Sequence, residues 1–152
     1  MSLFSFKKQK PFFTAEEQQR LVVAIRDAER HTSGEVRVFV ESHCTYVDPV
    51  DRAKEIFLNL KMDATKDRNA VLFYIALKDQ QLALFGDEGI YKRLGAEYWH
   101  KEVRMIIEDF SRQDIIGGIC KCVTDIGSAL KQQFPYEKDD KNELPDEIIF
   151  GK

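Results

Sequence analysis

Apolar residues recur along the chain at two spacings, one typical of helices and the other typical of strands. A first helix is predicted to begin at the capping box formed by Thr14 and Glu17 and to end near His31. A first strand follows, because apolar residues alternate with others from Val36 to Val40 with a period of two. The start of the chain therefore predicts a helix that leads into a strand.

The middle of the chain predicts a second helix and two strands. Asp48 and Pro49 supply the N-cap and the first helical position, and the helix is expected to end around Lys61. Residues 70–77 are apolar on both faces, as a central strand covered by helices on both sides requires. After a turn, residues 82–85 are expected to pair back antiparallel as a hairpin.

Two further helices complete the predicted fold. Apolar residues at helical spacing mark them, with Trp99, Val103, Ile106 and Phe110 in one, and Ile116, Ile119, Val123, Ile126 and Leu130 in the other. This order of elements predicts an α/β fold, a three-layer α/β/α sandwich on a small mixed sheet. Strands 1 and 2 are expected to be parallel, and strand 3 to form an antiparallel hairpin with strand 2.

Length and charge limit the domain organisation and the partners. The 152 residues carry 23 basic and 26 acidic side chains, a net charge of -3 that is too balanced for a nucleic-acid-binding protein. Residues 136–152 hold the whole net charge, since they contain six acids and three lysines. We therefore predict a mobile N-terminus over residues 1–11, one domain over residues 12–135, and an acidic C-terminal tail.

Hydropathy and cysteine usage indicate a cytoplasmic protein. The longest apolar run has eight residues, far fewer than the roughly 20 that span a bilayer, and the N-terminus lacks the pattern of a secretory signal. The odd number of cysteines, Cys44, Cys120 and Cys122, fits free thiols in a reducing compartment. We expect neither a membrane span nor a nucleic-acid partner.

The predicted strand order brings three loops to one edge of the sheet. Strands 1 and 2 begin there and strand 3 ends there, so residues 32–35, 67–69 and 86–89 are expected to meet. Two acids of this edge are adjacent in sequence and the others come from separate loops. The oxygen-bearing side chains gathered there are Glu35, Asp67, Asp87, Glu88 and Asn69.

Hard oxygen ligands of this kind suit Ca²⁺ or, with several waters retained, Mg²⁺. Gly86 and Gly89 would let backbone carbonyls approach an ion, and Arg68 is the local cation. We rank Asp87 first as a ligand and expect Asp87→Asn to leave the metal-free fold at least as stable, because it removes repulsion between carboxylates. The same residues also fit an ordinary turn beside a solvated Glu35.

Other catalytic signatures are missing from the sequence. No cysteine-phosphatase loop and no Gly-rich Walker loop are present. Cys120 and Cys122 lie two positions apart in a predicted helix, where they cannot share a metal, and the histidines do not have zinc-site spacing. Any catalytic or metal chemistry is therefore expected at the edge of the sheet where the three loops meet.

Several segments together resemble the TPM domain, a family named for a thylakoid lumen protein, a photosystem accessory protein and a nematode receptor modulator. They include the runs Thr-Ser-Gly-Glu, Arg-Asn and Gly-Asp-x-Gly, in this order, and the resemblance extends over about residues 12 to 145. The matching segments are residues 24–36, 57–65, 68–72, 86–90 and 134–135. The acidic tail resembles that of small stand-alone bacterial members.

The resemblance implies an α/β/α sandwich, binding of a divalent cation, chiefly Ca²⁺, in some members, and the acid phosphatase activity proposed for plant lumenal members. Many relatives carry a signal peptide and a C-terminal membrane helix or low-complexity tail. Because this sequence shows neither of these extensions, lumenal and membrane roles are not expected.

Three functions remain open from the sequence. The first is a cation-binding domain with a regulatory or protein-contact role. The second is a metal-assisted phosphatase, in which Arg68 would stabilise developing charge and Asp67 or Asp87 would handle a water molecule. The third is an interaction module without a metal.

Overall fold

The computed structural model describes residues 12–111, 114–136 and 148–151. These residues form five helices and four strands. In chain order the elements are α1 (Ala15–Glu29), β1 (Glu35–Glu41), α2 (Pro49–Asn59), β2 (Ala70–Ala76), β3 (Gln81–Gly86), α3 (Glu88–Leu94), α4 (Ala96–Ser111), α5 (Ile115–Gln133) and β4 (Ile148–Phe150). The predicted mobile segment, residues 1–11, lies outside the described residues, as do residues 137–147 of the predicted tail.

The four strands form one mixed sheet in the order β3-β2-β1-β4. β1 is parallel to β2 and to β4, whereas β2 and β3 form the antiparallel hairpin that the sequence predicts. The predicted α/β fold with its small mixed sheet is therefore confirmed. The first helix also begins as predicted, because the side chains of Thr14 and Glu17 each accept a hydrogen bond from the other residue's backbone N–H.

Helices cover both faces of the sheet and create two cores. On one face, α1, α4 and α5 bury the aliphatic side chains of β1, including Val36 and Val38. On the other face, α2 packs Phe57 with Leu72 and Tyr74 of β2. Because β2 contributes to both cores, all seven of its residues are buried, as its apolar sequence predicts.

Two elements were not predicted from the sequence. α3 begins directly after β3, where the glycines at positions 86 and 89 had indicated only a break. The sequence does contain ordinary helix signals here, namely the N-cap Asp87, the basic last turn of Lys92 and Arg93, and the following Gly95. The helix was missed because its apolar stripe is short. β4 lies in the predicted tail and pairs with the outer edge of β1.

Three smaller expectations have mixed outcomes. Val50, assigned from its spacing to the buried stripe of α2, is 44% exposed because it lies in the first turn of the helix. Cys44, Cys120 and Cys122 are all free thiols, as expected. In the described ranges, no helix combines the length and apolar character that a membrane crossing requires.

Candidate functional site

The sheet brings the three predicted loops together at one edge. Glu35, the first residue of β1, lies opposite Ala70 of β2, and Val71 lies opposite Gly86 at the end of β3. The backbone N–H of Asp87 then donates to the carbonyl of Ala70 at 2.9 Å. We call this region the loop edge; it comprises residues 32–35, 67–69 and 86–89.

An ion pair dominates the loop edge. The guanidinium of Arg68 donates from Nε to Asp87 Oδ2 at 2.6 Å and from Nη2 to Asp87 Oδ1 at 2.9 Å. Asp87 Oδ1 also accepts from the backbone N–H of Glu88 at 2.8 Å, which caps α3. The hydrogen bonds from Arg68 to the Asp87 carboxylate raise the pKa of the guanidinium. The pair joins the loop before β2 to the start of α3.

A second set of contacts joins the loop before β1 to the loop before β2. Asn69 donates from Nδ2 to Ser33 Oγ at 3.1 Å, and Ser33 Oγ lies 3.5 Å from Asp67 Oδ2, at the long limit of a hydrogen bond. Asn69 is 1% exposed, and its Oδ1 is a buried acceptor without a hydrogen-bond partner. A buried amide oxygen of this kind is costly unless a donor or a cation satisfies it.

The predicted ligands do not form a ready metal site. Asp87 and Glu35 are buried, whereas the side chains of Asp67 and Glu88 are exposed, and Glu88 Oε1 lies 3.4 Å from Arg68 Nη1. Throughout residues 12–111, 114–136 and 148–151, no three side chains of His, Cys, Asp or Glu are grouped so that they could hold a metal ion. A cation at this edge would require the side chains to rearrange.

Glycine has a packing role at the loop edge. A Cβ on Gly89 would lie 2.2 Å from the carbonyl oxygen of Asp67, and the N–H of Gly89 donates to the carbonyl of Arg68 at 2.9 Å. A Cβ on Gly86 would lie 2.6 Å from the indole ring of Trp99. These two glycines therefore let α3 and α4 approach the edge, which accounts for the Gly-Asp-x-Gly pattern without an ion.

The Thr-Ser-Gly-Glu run also has a structural role. Thr32 donates from Oγ1 to the carbonyl of Phe134 at 2.5 Å, and the N–H of Ser33 donates to the same carbonyl at 3.1 Å. Thr32 Oγ1 accepts in turn from the N–H of Gly34 at 3.0 Å. The run thus fastens the end of α5 to the start of β1 and presents Ser33 to Asn69.

The opposite edge of the sheet contains a charged network that the sequence analysis missed. Arg52 of α2 donates from Nε and Nη2 to both oxygens of Glu41, at 2.9 and 3.0 Å, and from Nη1 to Glu55 at 2.6 Å. The hydroxyl of Tyr74 donates to Glu41, and that of Tyr46 to Glu55. Burial and the bond to Glu41 raise the pKa of Tyr74. The available signal was the acid Glu41 directly after the alternating valines of β1.

None of the histidines is placed at the loop edge. His43 lies at the opposite edge, where its Nδ1 is 2.9 Å from Asp79 Oδ1, and this contact lowers the pKa of Asp79. The backbone carbonyl of His31 accepts from Tyr136, and His100 is an exposed residue of α4. Of the residues with predicted phosphatase roles, Arg68 and Asp87 bind each other, whereas Asp67 contacts Ser33. The phosphatase function stays a prediction.

Comparison with known sequence families assigns the chain. The TPM domain matches residues 7–129, which is most of the chain. This chain belongs to the TPM domain family. A comparison with curated proteins gives no match.

Two solved structures share the fold of this TPM domain, and the first of them also supports its family membership. The chain is 40% identical to the BA42 protein of the psychrophilic bacterium Bizionia argentinensis, with a TM-score of 0.86, over 96% of this chain and 100% of the other. It resembles the N-terminal domain of the cg2496 protein of Corynebacterium glutamicum with a TM-score of 0.61 at 13% identity, over 91% of each chain. The second likeness concerns the fold alone.

Proposed function

We propose that this TPM domain binds a divalent cation, with Ca²⁺ as the chief ligand, at the loop edge, and that binding serves regulation or contact with another protein. The observation that carries the proposal is Asn69 Oδ1, a buried acceptor without a partner at the point where the loops meet. Cation binding in some TPM domains, implied by the family resemblance, supports a cation as the ligand.

The donors at the loop edge fit a hard cation. Asp67 and Asp87 provide carboxylates, Asn69 and Ser33 provide neutral oxygens, and no cysteine or histidine takes part. Ca²⁺ accepts six to eight oxygen ligands in flexible geometry, whereas Mg²⁺ demands a nearly ideal octahedron. Ligands that come from three irregular loops and must first rearrange therefore favour Ca²⁺.

A titration of the whole chain with CaCl₂, followed by amide chemical shifts, tests the proposal. We expect the largest shifts at Asp67, Asn69 and Asp87, together with a rise in melting temperature, because a ligand that binds only the folded state stabilises it. Asp87→Asn is expected to abolish most of both effects. The matched control is Asp51→Asn, which removes the same charge from an exposed position of α2 and is expected to leave both effects unchanged.

Shifts that appear only away from the loop edge, or a full calcium response in Asp87→Asn, would contradict the proposal. A metal-free interaction module is the second candidate, and the Arg68–Asp87 pair favours it because Arg68 already neutralises the buried Asp87 carboxylate. In that case the melting temperature is expected to be the same in calcium and in a chelator.

A further inference from the structure

Arg68 engages the Asp87 carboxylate in the manner of a bound cation. Two nitrogens of its guanidinium, Nε and Nη2, each donate to one carboxylate oxygen of Asp87. The third nitrogen, Nη1, lies 3.4 Å from Glu88 Oε1. Both oxygens of Asp87 are therefore already bonded to a positive group, and Oδ1 carries the α3 cap as well. The Asp87 side chain is 5% exposed, so a cation has almost no route from solvent to this carboxylate other than the one that Arg68 occupies.

We infer that Arg68 is a tethered competitor for the divalent cation, which holds the site closed until the cation displaces its guanidinium from Asp87. The inference rests on the proposed function, and it describes how that same site is regulated. Arg68 is accordingly a positioning residue and not a ligand.

The structure makes this exchange physically reasonable. The Arg68 side chain is 41% exposed, so its guanidinium can move into water without unpacking the core. The backbone of Arg68 has φ of 52°, in the left-handed turn before β2, and the carbonyl of Arg68 stays bonded to Gly89 whichever way the side chain points. Asp87 is paired with a cation both before and after the exchange.

Competition of this kind lowers the apparent affinity by the fraction of molecules in which Asp87 is open. A strong ion pair between Arg68 and Asp87 therefore sets a threshold concentration of the cation. Below this concentration, Arg68 stays bound to Asp87. Asn69 Oδ1, a buried acceptor without a partner, is a further oxygen ligand that the same loop edge offers to a cation.

The experiment compares two variants that are matched in charge and in backbone. Arg68→Gly removes the competitor and suits the positive φ, and Lys61→Gly removes one positive charge from an exposed residue with φ of 57°. Calcium affinity is measured by calorimetry with CaCl₂ alone. We expect Arg68→Gly to bind about tenfold more tightly than the wild type, and Lys61→Gly to bind with the wild-type affinity.

Arg68→Lys provides a second measurement that does not depend on the folding of the glycine variant. An ammonium cannot occupy both carboxylate oxygens in the bidentate manner of a guanidinium, so this variant is expected to bind calcium with an affinity between those of the wild type and Arg68→Gly. A merely structural arginine would give the opposite order, because its loss would loosen the loops and weaken binding.

The outcomes separate the inference from the proposed function. If wild-type binding requires Asp87 but neither Arg68 variant binds more tightly than the wild type, the inference is wrong and the proposed function stands. If calcium binding is absent from the wild type and from Arg68→Gly, or survives Asp87→Asn, the proposed function fails and the inference fails with it.

Discussion

Arg68 and Asp87, which are 19 positions apart in the sequence, form a bidentate ion pair that ties the loop before β2 to the first turn of α3. The pair changes what the carboxylate does in the metal-free protein. Asp87 is held by attraction to a guanidinium and caps a helix, whereas the sequence alone had suggested that it would be repelled by neighbouring acids.

Asp87→Asn is therefore expected to destabilise the metal-free protein, contrary to the expectation from the sequence. The amide can still cap α3, but it no longer offers two charged acceptors to Arg68. We expect the melting temperature in a chelator to fall by about 3 °C, measured by circular dichroism. Asp51→Asn is the control, and an equal melting temperature for Asp87→Asn and the wild type would show that the ion pair contributes nothing.

The network around Glu41 gives a second prediction. Arg52→Met removes both hydrogen bonds from a guanidinium to a largely buried carboxylate, which is then left with the hydroxyl of Tyr74. The expected loss in free energy of unfolding is about 2 kcal/mol, measured by urea denaturation. Lys54→Met, an exposed change on the same helix, is expected to leave the stability almost unchanged. Equal effects of the two substitutions would contradict the prediction.

A pH dependence of stability is expected from Glu102 of α4. Burial, and then the charge of Asp125, raises the pKa of this carboxyl. Because the folded state holds the proton more tightly than the unfolded chain, the contribution of Glu102 to stability is complete below the ordinary pKa of glutamate. It is lost as the pH rises through the raised value.

Glu102→Gln removes this titration. The variant is expected to be more stable than the wild type at pH 7 and to lose that advantage in acid, where the wild-type carboxyl is protonated. Urea denaturation at several pH values measures the difference. Glu108→Gln, an exposed change on the same helix, is the control. A constant difference between Glu102→Gln and the wild type at every pH would disprove the role of Glu102.

The sequence by itself determined the main elements and their order. Caps such as Thr14 with Glu17, and the periodic apolar positions of β1 and β2, are local signals, because they depend on the few residues that form one turn or one strand. The convergence of three loops also followed from the sequence, since a crossover makes β1 and β2 parallel and a hairpin makes β3 antiparallel.

Only the tertiary structure decided which charged groups pair and how the edges are completed. Arg68 had Asp67, Asp87 and Glu88 within the predicted edge, and its choice of Asp87 depends on a left-handed backbone turn and on the start of α3. β4 similarly pairs with the edge of β1 in one register, and the sequence of three residues is too short to specify that register. Pairing and register depend on positions in space of residues that are distant along the chain, so local patterns do not contain them.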